Sequence, residues 1–242
     1  MRLWPFTKQQ KDLEFIDTSD KTYTRFPILR AKDVKPLCYE HQKSKYGKVQ
    51  FPKCPGMIDY AQLGYIITAH VDINIMANKA GVLTSVGSQQ RGDGGFQKPR
   101  RMESAILDGY ATADGVEPVP LLLDLPWKIF TPHNMSAIVL PALYHSDFLD
   151  DLSVWAGVVD YNKFHTLNFI FSPKRECNIT IKAGTPILQI IPFINQEISA
   201  GYGPGTPEQR SLAANQIPSG DTQFYRKFYM QAKKYFLSEK SK

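Results

Sequence analysis

Cysteine is scarce in this chain: its 242 residues hold three, Cys38, Cys54 and Cys177, widely spaced, odd in number and never as Cys-x-x-Cys. That argues against a zinc ribbon or a redox pair and fits a reduced, cytoplasmic setting. Long apolar runs are missing as well, so no segment reaches the roughly 20 residues that cross a bilayer and no membrane is expected. The opening MRLWPFTKQQKDLEF carries Arg2 and Trp4 without a continuous apolar segment, so a signal peptide is not expected. There is no internal repeat and no heptad pattern. Charge of one sign is only mildly in excess, 29 basic against 23 acidic side chains, or +6. Such a balance serves solubility or phosphate-bearing ligands. It does not support nucleic-acid binding, which needs basic side chains gathered on one exposed face.

What is present argues for a folded, mainly β chain: 43% hydrophobic and 12% aromatic residues. Residues 1–55 read as an arm, polar and basic, with Pro5, Pro27, Pro36 and Pro52 and no sustained period. Pro55 suits the first position of a short helix that places Met57, Ala61 and Tyr65 on one face. From Ile67 the period becomes two. Ile67, Ala69, Val71, Ile73 and Ile75 alternate with Thr68, His70, Asp72 and Asn74, which predicts one half-buried strand. Val82 to Val86 is its predicted partner across a turn at Asn78 to Gly81. Further strands are predicted at 119–130, 136–143, 154–159, 165–171 and 187–193. Short strands with close turn signals indicate a barrel-like or sandwich-like core over 56–195. A basic loop, 87–118, interrupts it. Residues 196–242 read as a Gly- and Pro-rich loop followed by a helix that Ser219 or Asp221 caps. Phe224, Phe228, Ala232, Tyr235 and Phe236 recur there at helical spacing. The parts read together as one domain.

The stretch from Ala156 to Phe193 carries the most chemistry. Gly157-Val158-Val159 ends in Asp160, a carboxylate at a turn, and Gly184-Thr185-Pro186 feeds the apolar strand Ile187 to Pro192, with Gln189 inside it. These two motifs resemble the signature of the trimeric dUTPase and dCTP deaminase superfamily. There a Gly-(Val/Ile)-(Val/Ile)-Asp hairpin holds the deoxyribose, and a Gly-x-x-Ile-x-Gln strand supports it. The resemblance implies a dUTPase-like β-clip core, a homotrimer, and a sugar contact from Asp160 in its Gly157–Val159 hairpin; Lys163, Phe164 and His165 beside it are further candidate ligand contacts. In an active relative Asp160 would orient a water, with Mg²⁺ bridging phosphates. From the residues alone, Asp160 could equally bond its own turn. The glycine corner and Gln189 read as structural.

Two departures bear on activity. Lys163 stands where the family carries an aromatic three residues after the aspartate, leaving Tyr161 or Phe164 to serve only with a local shift. Pro141-Ala142-Leu143 replaces the Pro-Arg-Ser-Ser segment that contacts phosphates. Arg91, Lys98, Arg100 and Arg101, in and after the loop RGDGGF, are candidate phosphate contacts, since Gly-rich basic loops cradle anions. That loop precedes the hairpin, whereas the family's glycine-rich arm is C-terminal. His70 and Asp72 would share the polar face of one strand, too few ligands for a metal without a third. His133 and His145 are scattered; only His165 lies beside the hairpin. No catalytic glutamate stands close to it either, Glu176 lying across a strand. Cys54-Pro55 through Tyr60, Gly64 to Ile67 and the basic aromatic tail also resemble proteins of phages and some bacteria. Three functions follow as expectations: non-catalytic nucleotide or small-ligand binding, an active Mg²⁺-dependent nucleotide hydrolase or deaminase, and a structural component, for example of a virus particle.

Overall fold

The computed structural model describes residues 13–19, 22–37, 55–79, 81–86, 100–101, 120–198, 203–208 and 210–211. They divide into two compact units, Met1–Leu37 with Gln62–Asn195, and Cys38–Ala61 with Gln196–Lys242. The first unit contains three antiparallel sheets. One joins β1 (Glu14–Asp17), β6 (Arg100–Arg101), β7 (Leu121–Phe130), β9 (Leu152–Val154) and β11 (Thr166–Pro173). The second runs in the order β10 (Gly157–Val159), β8 (Met135–Pro141), β13 (Pro186–Ile194), β3 (Tyr65–Thr68), β2 (Leu29–Arg30). The third sets β4 (Ile73–Asn78) between β12 (Cys177–Ile181) and β5 (Gly81–Val86). The mainly β class follows directly. The barrel expectation does not: the described strands form open sheets, and none closes on itself.

Period-two burial explains why these segments are strands. Along β7, Leu121, Leu123, Leu125, Trp127 and Ile129 are buried and every intervening residue is half-buried. Pro126 interrupts that strand without ending it. Lacking an N–H, it sits where the register with β11 slips, between Thr166 opposite Lys128 and Asn168 opposite Asp124. Its carbonyl still accepts from the Thr18 N–H at 2.8 Å. The inward residues of all three sheets meet in a single core that includes Ile67, Ile75, Leu123, Trp127, Val139, Phe169 and Ile190. Phe169 lies edge-on to Phe148 and stacks on Phe171, with ring centroids 6.4 and 4.8 Å away.

Several expectations change. The strand predicted from Ile67 to Ile75 is two strands in two sheets, β3 and β4, separated at Ala69–Asp72. His70 and Asp72 therefore share no polar strand face. His70 is buried, whereas the Asp72 carboxylate accepts from the Ala183 N–H at 2.8 Å and from Lys182 Nζ at 2.9 Å. The predicted strand 154–159 also breaks, at Trp155–Ala156, because β9 and β10 belong to different sheets. Residues 1–55 contribute β1 and β2 as edge strands of two sheets. β12 has no counterpart among the predicted strands, although Cys177, Ile179 and Ile181 alternate inward against β4. The hairpin of β4 and β5 forms as its spacing predicts, Asn78 opposite Gly81.

In the second unit the helix Pro55–Ala61 opens at the predicted proline, while Tyr65 belongs to β3. The loop residues 87–99 and 102–118, and the C-terminal helix predicted after Ser219, lie outside the described residues. Among the described residues no helix is long and apolar enough to cross a membrane.

Gly64, which leads into β3, has φ +73°, and a Cβ there would stand 2.1 Å from the Ile190 carbonyl oxygen. Both the left-handed backbone and the approach to β13 demand glycine. Gly64→Ala is expected to cost roughly 3 kcal/mol or more, strain and backbone displacement combined. Urea unfolding of the variant checks this, and a loss no larger than that of an ordinary surface substitution would refute the close approach.

His70 gives the fold an acid sensitivity. Burial lowers its pKa from 6.5 to about 4, with Asp17 pulling the other way. Between those values the unfolded chain binds the proton and the native chain does not, so stability is complete above about pH 6.5 and falls toward pH 4. The full swing is on the order of 3 kcal/mol. Urea midpoints measured from pH 4 to 7 should fall more steeply for the wild type than for His70→Leu. Parallel curves would remove His70 as the cause.

Candidate functional site

The candidate site is a corner between two sheets. β10 pairs with β8, Val159 opposite Ala137, and the chain then turns at Asp160 to enter β11 in the other sheet. The turn is closed by its own backbone: the N–H groups of Lys163 and Phe164 donate to the Asp160 carbonyl at 3.1 and 3.0 Å. The Asp160 side chain closes it again. Asn162 Nδ2 donates to one carboxylate oxygen, and Lys163 Nζ lies 3.1 Å from the other. Of the two readings open for Asp160, bonding within its own turn is what the geometry displays. Each oxygen has a second lone pair, so the carboxylate keeps capacity for another donor.

Tyr161 points the other way and anchors the corner. It is 1% exposed and belongs to the main core, and burial pushes its hydroxyl well above the usual phenol range. A residue buried to that degree lines the interior. Lys163, Phe164 and Val158 face outward, with Phe164 53% and Val158 67% exposed. Gly157 is exposed too, and a Cβ added there would meet nothing within 4 Å. Neither φ nor local packing demands glycine at that position.

His165 ends the corner and is held from three directions. Its carbonyl accepts from the Ile129 N–H at 2.9 Å, and its Nδ1 lies 3.1 Å from the Ile129 carbonyl oxygen. Its ring stacks on Phe130, with centroids 4.1 Å apart at 25°. Next to it Lys128 Nζ donates to Thr166 Oγ1 at 2.6 Å.

The supporting strand behaves as a framework. Gly184, at φ +90°, donates its N–H to the Ala69 carbonyl, and the Thr185 carbonyl accepts from the Ala69 N–H. Pro186 begins β13, and Ile187 sits at the register shift between Pro186 and Leu188. Gln189 is completely buried and its Nε2 donates to the Leu63 carbonyl at 2.7 Å.

Of the remaining phosphate candidates, Arg100 and Arg101 are described. Arg100 pairs with Asp124 at 2.8 Å on the sheet of β7, and Arg101 lies opposite Leu121. Arg91 and Lys98 are outside the described residues. Ala142 is buried and Leu143 exposed, so the segment after Pro141 offers no cation or hydroxyl at those two positions. Among the described residues no three His, Cys, Asp or Glu side chains gather as metal ligands.

Two members of the corner escape a reading of the sequence. Asn162, two residues beyond Asp160, carried a usable signal, because Asx side chains commonly lock such turns. Phe130 carried none. It meets His165 only because β7 and β11 pair. No protein-family model, curated protein or solved structure matches the chain.

Proposed function

We propose that the protein is a diverged relative of the dUTPase-like β-clip group that binds a nucleotide or similar small ligand at the Asp160 corner without turning it over. The observation that carries this reading is the state of the Asp160 carboxylate. Both oxygens are engaged by Asn162 and Lys163 yet keep a lone pair each, while the segment that would contact phosphates for turnover is replaced by buried Ala142 and exposed Leu143. A hydroxyl of a bound ligand needs only one of the remaining lone pairs. Around that carboxylate stand an exposed cation, an exposed aromatic ring and the bare backbone of Gly157, suited to a phosphate, a ring face and close approach respectively. Mg²⁺ fits the corner poorly by itself, because Asp160, its carboxylate among the described residues, already faces Lys163.

The test is binding and turnover of each deoxynucleoside and ribonucleoside triphosphate, with and without Mg²⁺, for the wild type and Asp160→Ala. Binding without product, weakened about tenfold or more by Asp160→Ala while the circular dichroism is retained, is the expected result. Equal affinity in the variant would remove the site. Monophosphate or a deaminated base, lost in the variant, would establish an enzyme instead.

A second reading, assembly through the same edge, is favoured by β10 itself. Among the described residues its only strand partner is β8, and Val158 is exposed beside the open edge. Uncharged open edges invite strand pairing. On this reading wild-type protein sediments as an oligomer, the trimer that the resemblance implies, and Val158→Asp shifts it to monomer. An unchanged mass distribution would count against β10 as the contact.

A further inference from the structure

His165 has an assignable tautomer. The Ile129 carbonyl has no hydrogen to give, so the 3.1 Å contact requires the proton on Nδ1. In the neutral ring Nε2 is then the acceptor. That atom makes no hydrogen bond among the described residues, and His165 is half-buried. The ring cannot easily turn to exchange its two nitrogens. Its backbone is paired to Ile129, its face lies on Phe130, and its neighbour Phe164 is bonded through N–H to the Asp160 carbonyl. The corner thus contains an acceptor of fixed direction on a half-buried ring, joined to Asp160 by its own turn.

We propose that His165 Nε2 is a specificity-determining contact, accepting a hydrogen bond from an N–H or O–H group of the ligand held at the Asp160 corner. This deepens the binding function and rests on it. The ligand class is narrowed accordingly to molecules carrying such a donor beside their phosphate, as nucleobases and sugars do. Strand closure alone would need only the Nδ1 bond and the stack. Preorganisation of the opposite nitrogen is what a ligand contact gains, because no rotamer has to be frozen on binding.

Two variants of the full chain separate the roles. His165→Phe preserves an aromatic ring over Phe130 and removes the acceptor, whereas His165→Gln keeps an acceptor near the Nε2 position and removes the ring. Both lose the bond to Ile129. Titration with the nucleoside triphosphate panel should show His165→Phe roughly 5- to 10-fold weaker than wild type, the loss of one neutral hydrogen bond. His165→Gln should recover most of that loss, and the wild-type Nε2 ¹⁵N resonance should move on ligand addition. Equal weakening in both variants would make His165 a structural residue and overturn the proposal. Wild-type affinity in His165→Phe, together with weakened Asp160→Ala, would overturn it while leaving the binding site in place. If no triphosphate binds the wild type, site and contact fall together.

Discussion

A carbonyl oxygen of β13 sits where a side chain at residue 64 would begin, and the second sheet depends on that approach. Gly64 can lie against Ile190 because it has no Cβ and can hold a positive φ. Its position brings the Leu63 carbonyl to Gln189 Nε2, and its own carbonyl accepts from the Ala31 N–H at 2.9 Å. An amide with no exposure in the middle of a sheet is costly unless it is bonded. Here the turn that enters β3 supplies the bond, so a polar residue inside β13 is made tolerable by a glycine far from it in sequence. Small apolar residues then finish the covering, with Ala31 and Ala142 buried against Ile66 and Val34 beside them.

From β13 the order runs through β8 to β10, so the Asp160 corner hangs at the end of a sheet whose centre is fixed by that contact. The chain crosses between sheets twice in quick succession. β9 lies in the sheet of β7, β10 in the sheet of β13, and β11 returns to the first. Residues 160–165 are therefore held at both ends by different sheets. The inward Tyr161, the doubly engaged Asp160 and the stacked His165 each remove a way for that corner to relax. A site built on such a crossing has its side chains placed before any ligand arrives.

Periodicity made much of this legible, and its failures share one cause. Alternation found the strands that keep one partner set along their length, such as β7 and the hairpin of β4 and β5. It could not find where a strand changes sheets. Ala69 and Val71 are as buried as the strand residues around them, so the pattern runs unbroken through the corner that separates β3 from β4. The same continuity hid the break at Trp155–Ala156. β12 was readable from Cys177, Ile179 and Ile181, but the charged run Lys174 to Glu176 before it and Asn178, which strands disfavour, made it resemble a polar loop. At the site, the turn and its carboxylate were visible in local sequence, whereas the stack of His165 on Phe130 required knowledge of which strands pair. Local chemistry is written within a few residues. Register is not.

The corner also shows how a turn can occupy both oxygens of its own aspartate. A carboxylate that orients water needs an oxygen facing the reacting atom and no competing donor on that side. In this chain Lys163, three residues on, puts an ammonium within 3.1 Å of the carboxylate. That pair is exposed at its lysine end and adds little stability. Its consequence is directional: the ammonium faces one oxygen from within the turn, and the lone pairs left over are the carboxylate's remaining acceptor capacity. An aromatic side chain in place of Lys163 would leave that oxygen without its cation. Lys163, the residue that departs from the resembled family's pattern, is thus also the one that ties the carboxylate to its own turn.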